Sequence, residues 1–426
     1  MNINKWTLGL VAAGVVSLGS VAQAEEASEH LMTAVSGTQI SGYVSTTMSW
    51  MANTGSRGFV APLTGLPGRS FHDGIAKQDG FNLDVIDLTV SKSLDESEWA
   101  AGYKAELWFG PDANGYGANS AAGAANRTDL AIRQAYVELR APVGNGIDFK
   151  VGVFDTIIGY EVSNHDGNPN VGRSYGWGIE PTSHTGILAS YAVTDFLSVS
   201  AGVANNGLAN QINANQPIES DKSYMAGVFL TAPDDWGFLS GATLSGGIVD
   251  STISSPAGVA PAGLPGISAG NNADMLNYYV GLALPLPIEG WSVGAAWDYR
   301  GQSQDSTIRG NYANAYALYL SAAVTEKMKV NLRADYTTAT SGTYYATAAD
   351  HNNQLGSLTT TIDYSLWENV ISRLEVRWDH QLGGGVDEAN VAGVQTDGGV
   401  FGGGTGANGS GDKNAVTVAL NLIYKF

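Results

Sequence analysis

The last twelve residues of the chain, 415–426, read AVTVALNLIYKF and alternate strictly between two kinds of side chain. In an extended strand one face would carry Val416, Val418, Leu420, Leu422, Tyr424 and Phe426, and the other Thr417, Ala419, Asn421 and Lys425. A strand with one apolar and one polar face, closed by a terminal aromatic residue, is typical of a strand that separates lipid from a wet interior. Tyr424 and Phe426 therefore predict the closing strand of a barrel in a bacterial outer membrane.

The same alternation recurs upstream in enough segments to make about sixteen strands, each roughly the 9 to 11 residues that a tilted strand needs to cross hydrocarbon. In 328–337, apolar side chains alternate with Lys, Asn, Arg, Asp and Thr, which a buried strand of a soluble core would not carry. The clearest segments are 99–109, 147–154, 291–300, 328–337 and 370–379. An even number of strands lets the first, 39–51, pair with the last and leaves no bare edge in lipid.

The connections between these segments alternate between short and long. Seven are short: 93–98, 141–146, 194–195, 233–237, 285–290, 325–327 and 367–369. Eight are long: 52–80, 111–128, 155–185, 205–221, 250–275, 301–311, 338–353 and 381–413. The pattern predicts an all-β fold, a transmembrane antiparallel up-and-down barrel with short periplasmic turns and long extracellular loops.

The N-terminus has the features of a secretory signal. Lys5 supplies a positive start, an apolar run follows, and Ala22-Gln23-Ala24 forms a small-residue cleavage site. We expect a signal peptide over 1–24, a short periplasmic lead-in over 25–38 and one barrel domain over 39–426.

Composition narrows the function further. The chain has no cysteine, so disulfides, thiolate metal sites and cysteine nucleophiles are excluded. Without Lys5 the predicted mature chain carries 20 basic and 40 acidic residues, a charge of −20 that disfavours nucleic acid as a partner. The six histidines show no metal-binding spacing, and no cofactor motif stands in the right context, so we expect no cofactor and no metal.

The predicted size of the barrel indicates a channel. About sixteen strands leave an aqueous lumen, whereas about eight would be filled by side chains and plugged transporters need about 22. The sequence therefore predicts a porin that passes small hydrophilic solutes and ions by passive diffusion.

Several stretches also resemble a known group. They are DLAIRQAYVELR at 129–140, the turn GNG at 144–146, DFKVGVFDT at 148–156, RSYGW at 173–177, EPTSHTG at 180–186, SRLEVRWDH at 372–380 and YKF at 424–426. They are similar to Gram-negative outer-membrane porins, in particular the families catalogued as putative beta-barrel porins, and more distantly to the general trimeric porins. The resemblance implies passive diffusion and outer-membrane lipid as a partner. A homo-trimer is an option that no motif here fixes.

In the general porins the third long loop folds inward and narrows the channel, and the resemblance implies the same for 155–185. The charged and aromatic side chains expected at that constriction are Asp155, Tyr160, Glu161, Asp166, Arg173 and Glu180. Charges held close together in a low-dielectric wall act strongly on a passing ion. The alternative interpretation is an exposed acidic loop.

The polar face of the predicted strands supplies the lining of the lumen. It comprises Lys104, Glu106, Asp148, Lys150, Asp298, Arg300, Lys329, Arg333, Asp335, Arg373, Glu375, Arg377 and Asp379. Seven of these are basic and six acidic, so most are expected to pair with one another, while the acidic loops give weak cation preference at the mouth.

Two other functions remain open at the level of sequence. A channel specific for anions or sugars would need an ordered basic path, which Lys329, Arg333, Arg373 and Arg377 could begin. A barrel enzyme would need a nucleophile beside a base, for which Ser174 or Ser183 with His184 are candidates. The prediction is that the chain is not an enzyme.

Overall fold

The computed structural model of the chain describes residues 37–52, 77, 79–116, 129–205, 212–213, 222–254, 272–304, 311–340, 352–383 and 413–426. The expected leader and residues 25–36 of the expected lead-in lie outside this part and remain predictions. The third long connection lies wholly inside it.

Sixteen β-strands run through the described residues, which confirms the predicted number. They are β1 Gln39–Ala52, β2 Gly80–Lys92, β3 Ala101–Phe109, β4 Leu130–Ala141, β5 Ile147–Asp155, β6 Ser183–Ala192, β7 Leu197–Ala204, β8 Ser223–Thr231, β9 Thr243–Ser254, β10 Asn272–Pro285, β11 Trp291–Gln304, β12 Asn311–Ala323, β13 Met328–Ala339, β14 Asn353–Tyr364, β15 Val370–Gly383 and β16 Asn414–Lys425.

The strands form one closed antiparallel barrel in which each pairs with its neighbours in the chain. The first and last strands close it, with Tyr43 opposite Lys425 and Ala52 opposite Val416. At the seam, the Gly42 amide donates to the Phe426 carbonyl at 2.9 Å and the Phe426 amide donates back at 3.0 Å. The terminal residue is thus part of the ladder, and neither end strand presents an unpaired edge to lipid.

The barrel buries its polar face and exposes its apolar face. On β13, Asn331, Arg333 and Thr337 are fully buried, whereas Ala334 and Tyr336 are exposed. On β16, Thr417 and Asn421 are buried while Leu420, Leu422 and Tyr424 are exposed. A protein dissolved in water buries its apolar side chains, so this arrangement suits lipid outside and polar groups inside.

The strand starts agree closely with the predicted ones, but several strands run further. β11 continues to Gln304 and β15 to Gly383, each four residues past the predicted end. Beyond Arg300, β11 carries only glycine, glutamine and serine, so alternation no longer reveals it, and β15 ends at the start of a run of glycines. The connection between β11 and β12 is consequently 305–310 and not the longer 301–311.

Aromatic residues cluster at both ends of the outer surface. Trp99, Tyr364 and Tyr424 are exposed near the end with the short turns, and Trp50 and Trp378 near the opposite end. Rings at these two levels suit the interfaces between lipid and water.

Helical structure is sparse in the described residues. One short helix, α1 Pro111–Tyr116, follows β3. Single 3-10 turns cover His165–Gly167 and Trp177–Ile179, and two 3-10 turns separated by a kink at Trp236 and Gly237 cover Asp234–Leu239. None of the described helices has the length and apolar character needed to cross a membrane.

Candidate functional site: a loop held inside the barrel

Residues 156–182, which connect β5 to β6 and are called the inner loop from here on, lie against the inward faces of distant strands. Every residue of the inner loop except Gly178 is buried or partly buried. Its first turn is apolar: Ile157 and Ile158 belong to a buried cluster with Met225, Phe229 and Val249 from β8 and β9. An exposed loop would not bury such side chains, so the burial of Ile157 and Ile158 favours the inward-folded interpretation over an exposed acidic loop.

Tyr160 continues this apolar contact on the far wall. Its ring stacks on Tyr319 of β12, with centroids 4.1 Å apart and planes 16° apart. Its hydroxyl lies over Gly294 of β11, where a Cβ would come within 2.0 Å of that oxygen. The glycine leaves the space that the tyrosine occupies.

Glu161 joins the inner loop to the barrel wall through a buried ion pair. Its Oε1 accepts a hydrogen bond from Arg333 Nη1 at 2.8 Å, and both side chains are almost completely buried. Its Oε2 accepts from the Ser174 amide at 2.6 Å. Arg333 also donates from Nε to Asp335 at 2.9 Å, so one guanidinium bridges two carboxylates. A buried charge that is paired and fully hydrogen-bonded is tolerated, and one that loses its partner is not.

Arg173 has a different role, since it folds the inner loop onto itself. Its Nε donates to the carbonyl of Val162 and its Nη1 to that of Val171, at 3.0 and 2.9 Å. Its Nη2 donates to the carbonyls of Ser163 and Asn164, at 2.9 and 3.1 Å. Burial lowers the pKa of Arg173 to about 10. The side chain therefore stabilises the loop by joining residues 162–164 to residues 171–173.

β15 holds the far end of the inner loop. The Glu375 carboxylate accepts from the backbone amides of Val171 at 2.6 Å and Gly172 at 2.8 Å. Arg377 donates to the Arg173 carbonyl at 2.5 Å and pairs with Asp379 at 2.8 Å. The predicted lumen charges of this strand thus bind the loop backbone.

His165 lies at the tip, in a polar cluster beside β1 and α1. Its Nε2 is 2.9 Å from Asp112 Oδ2 and its Nδ1 is 3.1 Å from Ser45 Oγ. The His165 carbonyl accepts from Arg373 at 2.9 Å. Burial lowers the pKa of His165 and outweighs the opposite effect of Asp112. The next residue, Asp166, pairs with Lys425 of β16 at 2.9 Å.

A second group of charges lines β3, β4 and β5. Lys104 pairs with Glu106 at 2.7 Å, and Lys150 lies over the ring of Tyr136 at 4.8 Å. Arg133 pairs with Asp155 at 2.6 Å. The sequence did not single out Arg133, because a register shift in the β3–β4 ladder turns it inward together with its neighbour Gln134. Two adjacent polar residues in an otherwise alternating strand were the signal.

The predicted site residues occupy the inside of the barrel. All six predicted constriction positions lie at or within the inner loop, and the predicted lining residues lie on the inward positions of their strands. Asp148 pairs with Arg140 at 2.7 Å, a partner outside the predicted set. Lys329 is exposed near the periplasmic end of β13, and Arg300 is partly buried. Their roles in permeation remain predictions.

The described residues contain no group of three or more histidine, cysteine, aspartate or glutamate side chains arranged to hold a metal ion.

A closed antiparallel barrel of sixteen strands with an apolar outside and a polar inside defines the class of outer-membrane porins. Residues 37–426 match the family described as "Putative beta-barrel porin-2, OmpL-like", and the chain belongs to that family. Family and fold together place the protein in the outer membrane and confirm the resemblance that the sequence suggested.

Solved structures support the same fold. An anion-selective porin from Comamonas acidovorans is 13% identical, with a TM-score of 0.55 over 91% of this chain and 99% of that one. OmpT of Vibrio cholerae, in a trimer form, is 12% identical, with a TM-score of 0.54 and the same coverage. The channel DcaP of Acinetobacter baumannii is 11% identical, with a TM-score of 0.54 over 93% of this chain and 99% of that one. A comparison with curated protein sequences gives no match.

Proposed function

We propose that this porin is a passive diffusion channel for small hydrophilic solutes and ions, with a bore narrowed by the inner loop. The observation that carries the proposal is the set of contacts that join the loop to β13 and β15, through Glu161 and Arg333 and through Glu375 and the amides of Val171 and Gly172. A loop fastened to those strands from its origin between β5 and β6 reduces the cross-section open to solute. Charges beside the remaining passage act through a low-dielectric wall.

The charge balance of the lining supports weak selectivity. Lys104, Arg333 and Arg377 each lie beside a carboxylate on their own strand. Arg373 lies 3.2 Å from Asp363 of β14. Pairs of opposite charge largely cancel at the distance of a passing ion. The surplus negative charge of the whole chain is therefore proposed to give weak cation preference at the mouth.

A path specific for anions or sugars is less well supported. Arg333, Arg373 and Arg377 donate to loop carbonyls as well as lying beside carboxylates, and all three are buried. An anion-conducting ladder would need such guanidinium groups to face the solute, and these face the inner loop.

We also propose that the chain is not an enzyme. Ser174 Oγ accepts from the Trp177 amide at 3.1 Å, and His184 Nε2 is 3.1 Å from Thr156 Oγ1. These contacts hold the start and the middle of the inner loop in place. Ser174 and His184 thus have a structural role, whereas an enzyme would use them as nucleophile and base. A homo-trimer is proposed on resemblance alone, and chemical cross-linking of the folded protein in its native membrane tests it.

Planar-bilayer recording of the refolded full chain tests the main proposal. We expect discrete single-channel conductance and a reversal potential under a salt gradient that indicates weak cation preference. Absence of conductance from correctly folded protein would refute a diffusion channel. Strong anion selectivity, or saturable block by a sugar, would instead favour a solute-specific channel.

A further inference from the structure

A buried lysine contacts two buried carboxylates where two long connections meet. Lys77, from the connection between β1 and β2, places its Nζ 2.7 Å from Oδ1 and 3.0 Å from Oδ2 of Asp112 in α1. The same Nζ lies 3.4 Å from Oδ1 of Asp84 on β2. The exposed fraction is 5% for Lys77, 2% for Asp112 and 1% for Asp84. The amine therefore faces both oxygens of one carboxylate, beside a second carboxylate, with almost no access to water.

The surroundings of this group are apolar and aromatic. Val85 and Ala113, which follow the two aspartates in the chain, belong to a buried cluster that also contains Tyr43 and Trp108. The ring of His165 lies against the same cluster, with its centroid 6.2 Å from that of Tyr43 and 6.4 Å from that of Trp108. Compared with water, such an environment favours an uncharged amine and an uncharged carboxylic acid over the corresponding ions.

Two further side chains are placed to move protons within the group. Asp84 directs Oδ1 at the lysine nitrogen, while its Oδ2 accepts from the hydroxyls of Ser45 and Thr47 at 2.8 and 2.6 Å. His165 Nε2 lies 2.9 Å from Oδ2 of Asp112. The first group can take a proton from the amine, and the second can give a proton to an oxygen of the Asp112 carboxyl group.

Two other lysine ion pairs of similar length lie closer to water. Lys104 pairs with Glu106 at 2.7 Å, but 26% of the lysine side chain is exposed. Lys425 pairs with Asp166 at 2.9 Å, with 20% and 12% of the two side chains exposed. Water stabilises the charged forms of such pairs, whereas the pair of Lys77 and Asp112 has lost that stabilisation.

We propose that Lys77 and Asp112 condense to an isopeptide bond, an amide that links the two side chains. Nζ gives a proton to Asp84 and attacks Cγ of Asp112, which forms the N–C bond. The bond from Cγ to Oδ2 breaks, and this oxygen leaves as water with a proton supplied through His165. Of the three ammonium protons, two leave in the water and one stays on the amide, so Asp84 and His165 end as they began.

The reaction consumes no oxidant, reductant or cofactor, since an ammonium and a carboxylate become an amide and one water molecule. The folded chain supplies what the reaction lacks in free solution, because it holds the two groups in contact and away from bulk water. The bond ties the connection between β1 and β2 to α1 and persists when the barrel unfolds. It does not depend on conduction, so it stands or falls separately from the proposed diffusion function.

Peptide mass spectrometry of the full chain, purified in its folded form from membranes, tests the proposal. After denaturation and digestion with trypsin, we expect no cleavage after Lys77 and one branched product that joins residues 70–92 to residues 105–127. Its mass should equal the sum of the two peptides less one water molecule. Lys77→Arg and Asp112→Ala should each yield only separate peptides. Cleavage after Lys104 is the internal control, because its exposed ion pair with Glu106 should not condense.

The proposal is overturned if folded wild-type protein yields only separate peptides, a result that requires no variant to fold. A branched product of the same mass loss from Asp112→Ala would place the bond elsewhere and overturn it equally. Asp84→Asn should fold with little or no branched product, and a yield equal to that of the wild type would overturn the role given to Asp84. Wild-type protein that conducts without the bond refutes the bond and leaves the diffusion channel standing.

Discussion

Arg333 Nη1 lies 2.8 Å from Glu161 Oε1, although the two residues are 172 positions apart in the chain. The pair joins the inner loop to β13 and is buried at both ends. Glu161→Gln removes the negative charge opposite Arg333, so the buried guanidinium loses one of its two carboxylate partners in a low-dielectric environment. We expect a loss of about 3 to 5 kcal/mol in the free energy of unfolding. We also expect a larger, noisier single-channel conductance as the loop loosens.

The control for this prediction is Arg140→Gln, which lies outside the predicted lumen lining and breaks the ion pair with Asp148. That pair is partly exposed and lies outside the inner loop, so its loss should cost about 0 to 1 kcal/mol and leave the conductance unchanged. Urea titration and bilayer recording measure the two quantities. Equal effects of the two variants would contradict a special role for the Glu161 contact.

Gly294 is predicted to be required by the hydroxyl of Tyr160. Gly294→Ala places a methyl group within 2.0 Å of that oxygen, so the ring must leave its stack on Tyr319. We expect a loss of about 1 to 3 kcal/mol in unfolding free energy. Gly246→Ala is the matched control, because its Cβ would have only an ordinary contact, with its nearest neighbour at 3.6 Å.

The clash is with the hydroxyl and the ring carbon Cζ of Tyr160, both under 3.0 Å from the added Cβ, which allows a rescue experiment. Tyr160→Leu removes both atoms, so Gly294→Ala introduced into the Tyr160→Leu background should cost much less than in the wild type. A double-mutant cycle measured by urea titration gives the difference. An unchanged cost would show that β11 itself requires glycine at position 294, independently of Tyr160.

The barrel could be predicted from sequence because its rule is local. Each strand separates lipid from a polar interior, so alternation along a dozen residues such as 415–426 reveals it without knowledge of the partner strand. The end of β11 was missed because residues 301–304 are glycine, glutamine and serine and show no alternation of apolar and polar side chains. Arg133 was missed because a bulge interrupts the period of two.

The contacts of the inner loop could not be predicted in the same way. Glu161, Glu180 and Asp166 were recognised as charged loop residues, but their partners Arg333, Asp298 and Lys425 come from remote strands. The spacing of residues in the sequence does not predict contacts between residues so far apart in the chain. Asn277 gave no signal at all, since an asparagine on a strand is ordinary until its Nδ2 is found to donate to the carbonyl of Ile179 in the inner loop.

His165 gives the fold a predicted dependence on pH. Burial lowers its pKa in the folded chain, so on acidification the unfolded chain takes up the proton first. Stability is therefore full above the ordinary histidine pKa of about 6.5 and falls as the pH drops below it. The urea midpoints of wild type and His165→Gln should show the same pH dependence above about pH 6.5. Below that pH the wild-type midpoint should fall more steeply. The control is His380→Gln, near the extracellular end of β15, whose profile should match that of the wild type. A His165→Gln profile that parallels the wild type throughout would show that His165 does not cause the pH dependence.

The orientation of the strands predicts how a lipid-facing charge is tolerated. Leu358 is exposed halfway along β14, and Leu366 is exposed in the turn that follows that strand. An arginine at the middle of the lipid layer must be desolvated or drag water and head groups inward, at a cost of about 2 to 4 kcal/mol, which falls to about 0 to 1 kcal/mol near the interface. We therefore expect Leu358→Arg to lower the unfolding free energy in phosphatidylcholine vesicles by that larger amount and Leu366→Arg to lower it little. In water both positions would be ordinary exposed surface, so the difference between the two variants measures the membrane itself. Equal costs would mean that β14 does not cross the bilayer where its apolar face indicates.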